Sequence, residues 1–557
     1  MTISLLENNL INTANQNGVF VKKQQDQFIL KKVVTHEYSL KEYLIFDAKV
    51  APATSRIYAE GFQMLSQTAG TFASPISIAR CPDDEPPYCF NPNYNYKTCY
   101  NFICFNQENT WYLLGFTSSH HFIGKFLVYP DGRLKIYMDL AGATFKVGDE
   151  IDFENFTILK DSNRKALLDK FSKLICKNHP PLQTNQSYKG WCSWYCYYEN
   201  ISDKDILDNC KLLSKHQDFE YIQIDDGYQC AMGDWLDYSN KFENSLDALV
   251  DKIHKSGKKA ALWVAPFIAS QNSKLFKENP DLFLKDRNLN LVPSEDLTYG
   301  GWRDTPWYAL DFSNPKTVDY IQSVFRYFHD VLKIKYYKLD ALYWGAIEGY
   351  SYNQNFSRVD NYRRGLECIL QVVGKDSLVL GCNAPMWPSL GLVHAMRVTD
   401  DIIRQQDRII SLCKEMFHRL WTNHKLWILD PDCLCLKDIK GQSASTDDYK
   451  IHLAYILLSD GILMLGDFIK DLTDPDFKKI NKIIEVSRWQ KDLNYEDDFS
   501  KFTLLNKKSK QKLEIYFNFD NTDKVLLLKD NAYDFFEDLK LEKNYILKAK
   551  SALVVAY

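Results

Sequence analysis

Hydrophobic positions change their period twice along the chain, and the changes divide it into three parts. From residue 1 to about 160, short runs such as VFVKKQQDQFILKKVV, WYLLGFTSS and FKVGDEIDFENFTIL alternate apolar and polar positions between Asn, Asp and Gly turns. That is the period of antiparallel strands. Asp161 to Lys177 then places Leu167, Leu168, Phe171, Leu174 and Ile175 at helical spacing, and HPPLQTNQS follows as a linker, with a boundary near residue 183.

From Gly190 short apolar runs alternate with longer amphipathic stretches, the texture of a parallel α/β domain. The runs are GWCSWY (190–195), YIQIDD (221–226), KAALWVAPF (259–267), KIKYYKLD (333–340), SLVLGCN (377–383), AMRVTDD (395–401), LWILDPD (426–432) and GILMLGD (461–467). Eight of them predict a (β/α)8 barrel, with helices at ILDNCKLLSKH and NPKTVDYIQSVFRYFHDVL. After Trp489 the pattern returns to strands, KLEIYFNF, KVLLLK, YILKAK and ALVVAY, which predict a small terminal sheet. The predicted division is 1–183, 184–493 and 494–557, an α/β barrel between two all-β parts.

Composition changes this picture little. A chain of 557 residues is long for one core, and 45% hydrophobic with 25% charged residues is ordinary for a globular protein. The net charge of −4, with acids and bases interleaved, gives no footprint for nucleic acid or an anionic membrane. Aromatic residues reach 14%, which suits sugar rings but also suits a large core. The start MTISLLENNLINTANQNG lacks the basic and apolar regions of a signal peptide, and Ile451 to Ile469 is interrupted by Ser459, Asp460 and Gly461. The expectation is a cytosolic protein with reduced thiols, because its 14 cysteines show no CxxC pairing.

Chemistry concentrates at the strand ends, where a barrel places its active site. Asp225 and Asp226, Lys338 and Asp340, Asp400 and Asp401, Asp430 and Asp432, and Asp467 all close predicted strands, with Arg397 just before the sixth end. One such Asp is usually a helix cap or turn former. Repetition on one face points instead to shared chemistry. Alternation puts Tyr336, Lys338 and Asp340 on one side of their strand, so a cation and a carboxylate enter the interior together. Glycoside hydrolysis uses two carboxylates, one as nucleophile or base and one as acid. Asp340 and Asp401 fit, each ending its own strand. Lys338 is expected to keep Asp340 ionised, and Asp401 to hold its proton to higher pH. A Schiff base on Lys338 and Mg2+ bound by the Asp cluster are weaker readings: Asp340 would raise the lysine pKa, and the strand ends lack His.

From about Lys189 to Asp467 the chain resembles glycoside hydrolase family 36, the melibiase-type retaining α-galactosidases, and more distantly family 27. GWCSWY, QIDDGY, GDWL, ALWVAPF, YALDFS, YYKLD, LGCNAP, MRVTDD and DPDCL occur in the family's order. The resemblance implies an N-terminal β-sandwich, a catalytic (β/α)8 TIM barrel and a C-terminal antiparallel β domain. It also implies that Asp340 is the nucleophile and Asp401 the acid/base, with Asp225 and Asp226 gripping the 4- and 6-hydroxyls of galactose. Trp191, Trp235 and Trp263 then correspond to pocket aromatics, and Lys338, Cys382 and Arg397 to residues around the other hydroxyls.

The expected substrate is a small oligosaccharide such as melibiose or raffinose, with no cofactor, metal, nucleic acid or membrane partner, and the oligomeric state stays open. Galactosyl transfer, as in raffinose- and stachyose-forming relatives, and sugar binding without catalysis are the alternatives. The N-terminal part departs from the family: where relatives send a Trp-bearing loop over the sugar, Ala59 to Gln67 offers Phe62 and Met64. Pro293 to Tyr308, with Trp302 and Trp307, is a second candidate cover.

Overall fold

The computed structural model describes residues 2–35, 41–184, 187–243 and 245–557. All eight predicted strand sites carry strands of one parallel sheet: β1 (Lys189–Cys192), β2 (Tyr221–Ile224), β3 (Lys259–Val264), β4 (Tyr336–Leu339), β5 (Leu378–Gly381), β6 (Ala395–Arg397), β7 (Ile428–Asp430) and β8 (Leu463–Leu465). They pair in order from β1 to β7, with β8 beside β1. Between β7 and β8 the ring is drawn shut by Ile462 N donating to Leu429 O at 2.9 Å and by a bridge from Leu434 to Leu465. Gly461 permits this approach, since a Cβ there would lie 2.0 Å from Leu429 O.

These strands are buried on both faces and therefore read as apolar runs. Most helices between them are amphipathic and several are capped by their own sequence, whereas Thr446–Ser459, between β7 and β8, is buried all round from Ile451 to Ser459. Ser202 forms a capping box with Asp205 at the start of Asp203–Leu213. Asn314 and Pro315 start Pro315–Arg326, which buries Val318, Ile321, Val324 and Phe325 and ends in a π-turn at Tyr327–Val331. The β3-to-β4 crossover is unusually long and carries an antiparallel pair, Ile268–Ser270 with Trp307–Ala309, that lifts residues 271–306 over the barrel mouth.

The N-terminal part is a twelve-stranded antiparallel sheet folded around its own core of Leu30, Ile45, Phe46, Ile103, Phe105, Leu114 and Phe126. The helix Arg164–Asn178 follows it as predicted; of the linker, Asn185 and Gln186 lie outside the described residues. One element departs from the strand pattern: Ile3–Gln16 is a helix, capped by Thr2 and burying Leu6, Leu10 and Ala14. That i, i+4, i+8 spacing was present in the first residues. The C-terminal part holds a five-stranded sheet beginning at Lys491 and a separate two-stranded one, Lys524–Leu527 with Asn544–Leu547. No described helix is long and apolar enough to cross a membrane.

A buried ion pair ties the N-terminal sheet to the barrel. Arg419 donates from Nε to Glu60 Oε2 at 3.1 Å and also pairs through Nη2 with Oε1, while its Nη1 donates to Val398 O at 2.9 Å. Phe62 and Met64 are part of this junction and are themselves buried: Met64 N donates to Ala384 O, and Phe62 O accepts from Met386 N. They pack the domains together and do not cover the mouth.

Candidate active site

Asp340 follows β4 and is 7% exposed. Ala341 turns into a left-handed conformation (φ 51°), which aims its own N–H at Asp340 Oδ1, 2.7 Å away. Asn383, also left-handed (φ 42°), donates to the same oxygen at 2.8 Å. Oδ2 accepts from the Trp263 indole at 3.0 Å. All three are neutral donors.

Lys338 does not pair with Asp340, contrary to expectation. Its ammonium reaches Asp225 Oδ2 at 3.0 Å. The reason is geometric. Two residues along one strand are separated by about 6.6 Å, whereas inward side chains of alternate barrel strands share a layer. Lys338 on β4 thus meets the end of β2. Burial opposes its charge, but Asp225 above all, with a smaller contribution from Asp340, holds the ammonium well above its ordinary range. Gln223 and the Cys192 thiol also donate to Asp225 Oδ2, at 2.7 and 3.4 Å.

Asp226 is gripped from the β3-to-β4 excursion. The Arg303 guanidinium forks onto it, with Nε at 2.8 Å from Oδ2 and Nη2 on Oδ1. Trp302 donates to Oδ2 at 3.4 Å and Gln229 to Oδ1 at 2.7 Å. Trp302 packs against Trp307 and Trp344, so the predicted polar loop is an aromatic wall over the mouth.

Beyond β6, Arg397 Nη2 lies 2.9 Å from Asp401 Oδ1 and 2.7 Å from Asp432 Oδ2. Asp432 also accepts from the Tyr195 hydroxyl and from Ile402 N at 2.7 Å. Asp401 keeps 55% of its side chain open to the mouth. Its expected high proton affinity is reversed: burial favours the proton, but Arg397 first and then Lys338 pull the carboxyl below its ordinary value. The proton-holding group is Asp432, pushed up to about 7 by burial, with Asp401 and Asp430 adding to the effect against Arg397. Asp400 is the opposite of its neighbour, 4% exposed in its side chain and paired with Arg80 and Arg408.

Of the other expected residues, Cys382 is buried beside Arg397, with Sγ 4.0 Å from Nη1. Trp235 packs behind Trp263 at 5.9 Å, fully buried. Trp191 is not brought to the site. It alternates with Cys192, whose thiol faces Asp225, so it lies on the other face of β1 and donates to Asp467 O at 2.9 Å. Residues not anticipated are Asn383, Tyr195, Arg303 and Arg80, and Asp432 as a partner of Asp401. Asn383 follows Cys382 and Tyr195 ends GWCSWY, so both stood beside recognised motifs; Arg303 and Arg80 lie in loops without a periodic signal.

A (β/α)8 barrel whose mouth gathers Asp225, Asp226, Asp340 and Asp401 with Lys338 and Arg397 has the build of a glycoside hydrolase. Residues 191–358 match the family described as Melibiase. The match covers the barrel from β1 to just past β4, and the relatives that share it are α-galactosidases. The chain is 29% identical over 158 residues to α-galactosidase Mel36A of Lactobacillus acidophilus, covering 27% of this chain and 20% of that one. Over 136 residues it is 27% identical to α-galactosidase AgaA of Geobacillus stearothermophilus, covering 23% and 17%. The matched stretches thus span a fifth or less of these relatives.

The fold is shared far more widely. TtGalA, the α-galactosidase of Thermus thermophilus solved with p-nitrophenyl α-D-galactopyranoside, superposes with a TM-score of 0.64 at 20% identity, covering 87% of this chain and 97% of that one. A family 36 AgaA variant solved with 1-deoxygalactonojirimycin superposes with a TM-score of 0.67 at 14% identity, covering 98% and 82%.

Proposed function

We propose that this protein is a retaining, exo-acting α-galactosidase that removes terminal α-D-galactosyl residues from small oligosaccharides. The observation that carries the reading is one barrel mouth in which a buried carboxylate on neutral donors, Asp340, stands with an open carboxylate on a guanidinium, Asp401. Asp340 attacks C1 through Oδ2, which has one donor against two on Oδ1. Asp401 protonates the leaving oxygen, then takes a proton from water as the galactosyl ester is hydrolysed. Asp225 and Asp226 accept from the axial 4-hydroxyl and the 6-hydroxyl, and Lys338 and Arg303 hold the two carboxylates in place within the pocket.

The openness of Asp401 against the fully engaged Asp400 supports the choice between these neighbours. Structural neighbours solved with stachyose and with raffinose support the substrate class. All 14 cysteines are free thiols, which supports a cytosolic location. A panel of nitrophenyl glycosides, with the first product followed by proton NMR, tests the reading. Turnover of the α-galactoside with α-galactose appearing first is expected. β-Galactose as first product, or turnover confined to another sugar, would overturn it.

A further inference from the structure

The chain segment that carries Asp401 is tethered residue by residue. Val398 O accepts from Arg419, Thr399 Oγ1 donates to Pro431 O at 3.2 Å, and Asp400 N donates to Glu415 Oε2 at 2.7 Å. Ile402 N donates to Asp432. Asp401 N itself donates to Asp400 Oδ1 at 2.8 Å. The peptide group leading into Asp401 is therefore held on both sides, its N–H by the Asp400 carboxylate and its C=O, that of Asp400, by Arg397 Nη2 at 2.9 Å.

That carboxylate is oriented from outside the barrel. Arg80 donates from Nε to Asp400 Oδ2 at 2.6 Å and from Nη2 to Oδ1 at 3.1 Å, a two-point fork that fixes the carboxylate plane. Arg408 reaches Oδ2 alone, so without the fork the only other hold on the carboxylate plane is the Asp401 N–H on Oδ1, the group whose position is at stake. Arg80 belongs to the N-terminal domain, on a loop that is itself pinned. Cys81 N donates to Leu65 O at 3.1 Å, Gln63 Nε2 to Cys81 O at 2.8 Å, and Phe62 N to the half-buried Asp83 at 2.7 Å. The Arg80 side chain is 59% exposed, so burial does not account for its position; Asp400 does.

We infer that Arg80 is a positioning residue for Asp401, acting through Asp400, so that the N-terminal domain completes the acid/base side of the site. The inference rests on the galactosidase reading. It also assigns that domain a part in the reaction.

The test uses the full chain and two α-galactosides, raffinose, whose sugar leaving group needs a proton, and 2,4-dinitrophenyl α-galactoside, whose leaving group does not. Arg80→Met should lower kcat/KM on raffinose by ~10- to 100-fold, the cost of a small misplacement of a catalytic group, and alter the aryl substrate by less than about threefold. Galactose binding measured by calorimetry should be unchanged, and Arg80→Lys should recover part of the raffinose activity. Equal losses on both substrates, or no loss on either, would overturn the inference. Should Arg80→Met fail to fold, Arg80→Lys, which keeps the charge without the fork, carries the same comparison: a smaller bias against raffinose supports the inference, and equal rates relative to wild type refute it. A wild-type chain inactive on both galactosides would instead defeat the galactosidase reading.

Discussion

Asp340 and Asp401 stand at one barrel mouth and are held in opposite ways. Asp340 accepts from an indole, an amide side chain and a backbone N–H, all barrel groups and none charged. Asp401 belongs to an ionic cluster with Arg397 and Asp432, and its backbone N–H donates to Asp400, whose own ion pairs with Arg408 and Arg80 reach the N-terminal domain. The difference suits the two proposed roles. A nucleophile needs fixed geometry and an undiminished negative charge, which neutral donors allow. A group that must gain and lose a proton in each cycle needs charges that can be redistributed around it. Residues 191–358, which match the melibiase family, include Asp340 and Trp263 and stop before Asn383 and β6.

The sharpest way to break this contrast is at the nucleophile. Asp340→Ala should lower turnover of a nitrophenyl α-galactoside by ~10^4-fold or more, and azide should yield no retained product, because the covalent step is gone. Near wild-type rates would remove Asp340 from the mechanism. Asp401→Ala should cost less, ~10^2- to 10^4-fold. Azide should restore part of the rate with an activated aryl leaving group and give the galactosyl azide of retained configuration. The same rescue in Asp400→Ala, and not in Asp401→Ala, would transfer the acid/base role to the neighbour.

How much of this was legible in the residues follows from where each interaction comes from. The eight barrel strands were readable because parallel strands buried on both faces appear as uninterrupted apolar runs, and each functional carboxylate sits where its run stops. The pairing of Lys338 was not, because it depends on which strands share a barrel layer rather than on the two-residue spacing to Asp340. The proton affinity of Asp401 does not follow from the sequence for a related reason. Its dominant neighbour is Arg397, four residues earlier on its own segment, while the negative charge considered was that of Asp340. Arg80 lies 320 residues from Asp400 in the chain, and only the packing of two domains brings them together.

The gentlest test separates the two carboxylates by pH alone. Asp401 is pulled below its ordinary value by Arg397 while Asp432, on the other side of the same guanidinium, is raised to about 7. Of the two, Asp432 therefore takes up a proton more readily, and the reactive form is the one in which Asp401 holds it and Asp432 is ionised. Loss of that shared proton as pH rises through about 7 should set the alkaline limb of kcat/KM. In Asp432→Asn the partner is a neutral amide at every pH, so Arg397 acts undiluted on Asp401 and its carboxyl loses the proton at lower pH. The alkaline limb should then move downward by about one pH unit or more, with the rate on a dinitrophenyl galactoside little changed. Asp340→Glu, in contrast, alters a group without charged donors and should lower the rate without moving that limb. A limb that stays in place in Asp432→Asn would mean that Asp401 titrates alone, and the contrast between an ionic and a neutral half of the site would not extend to proton transfer.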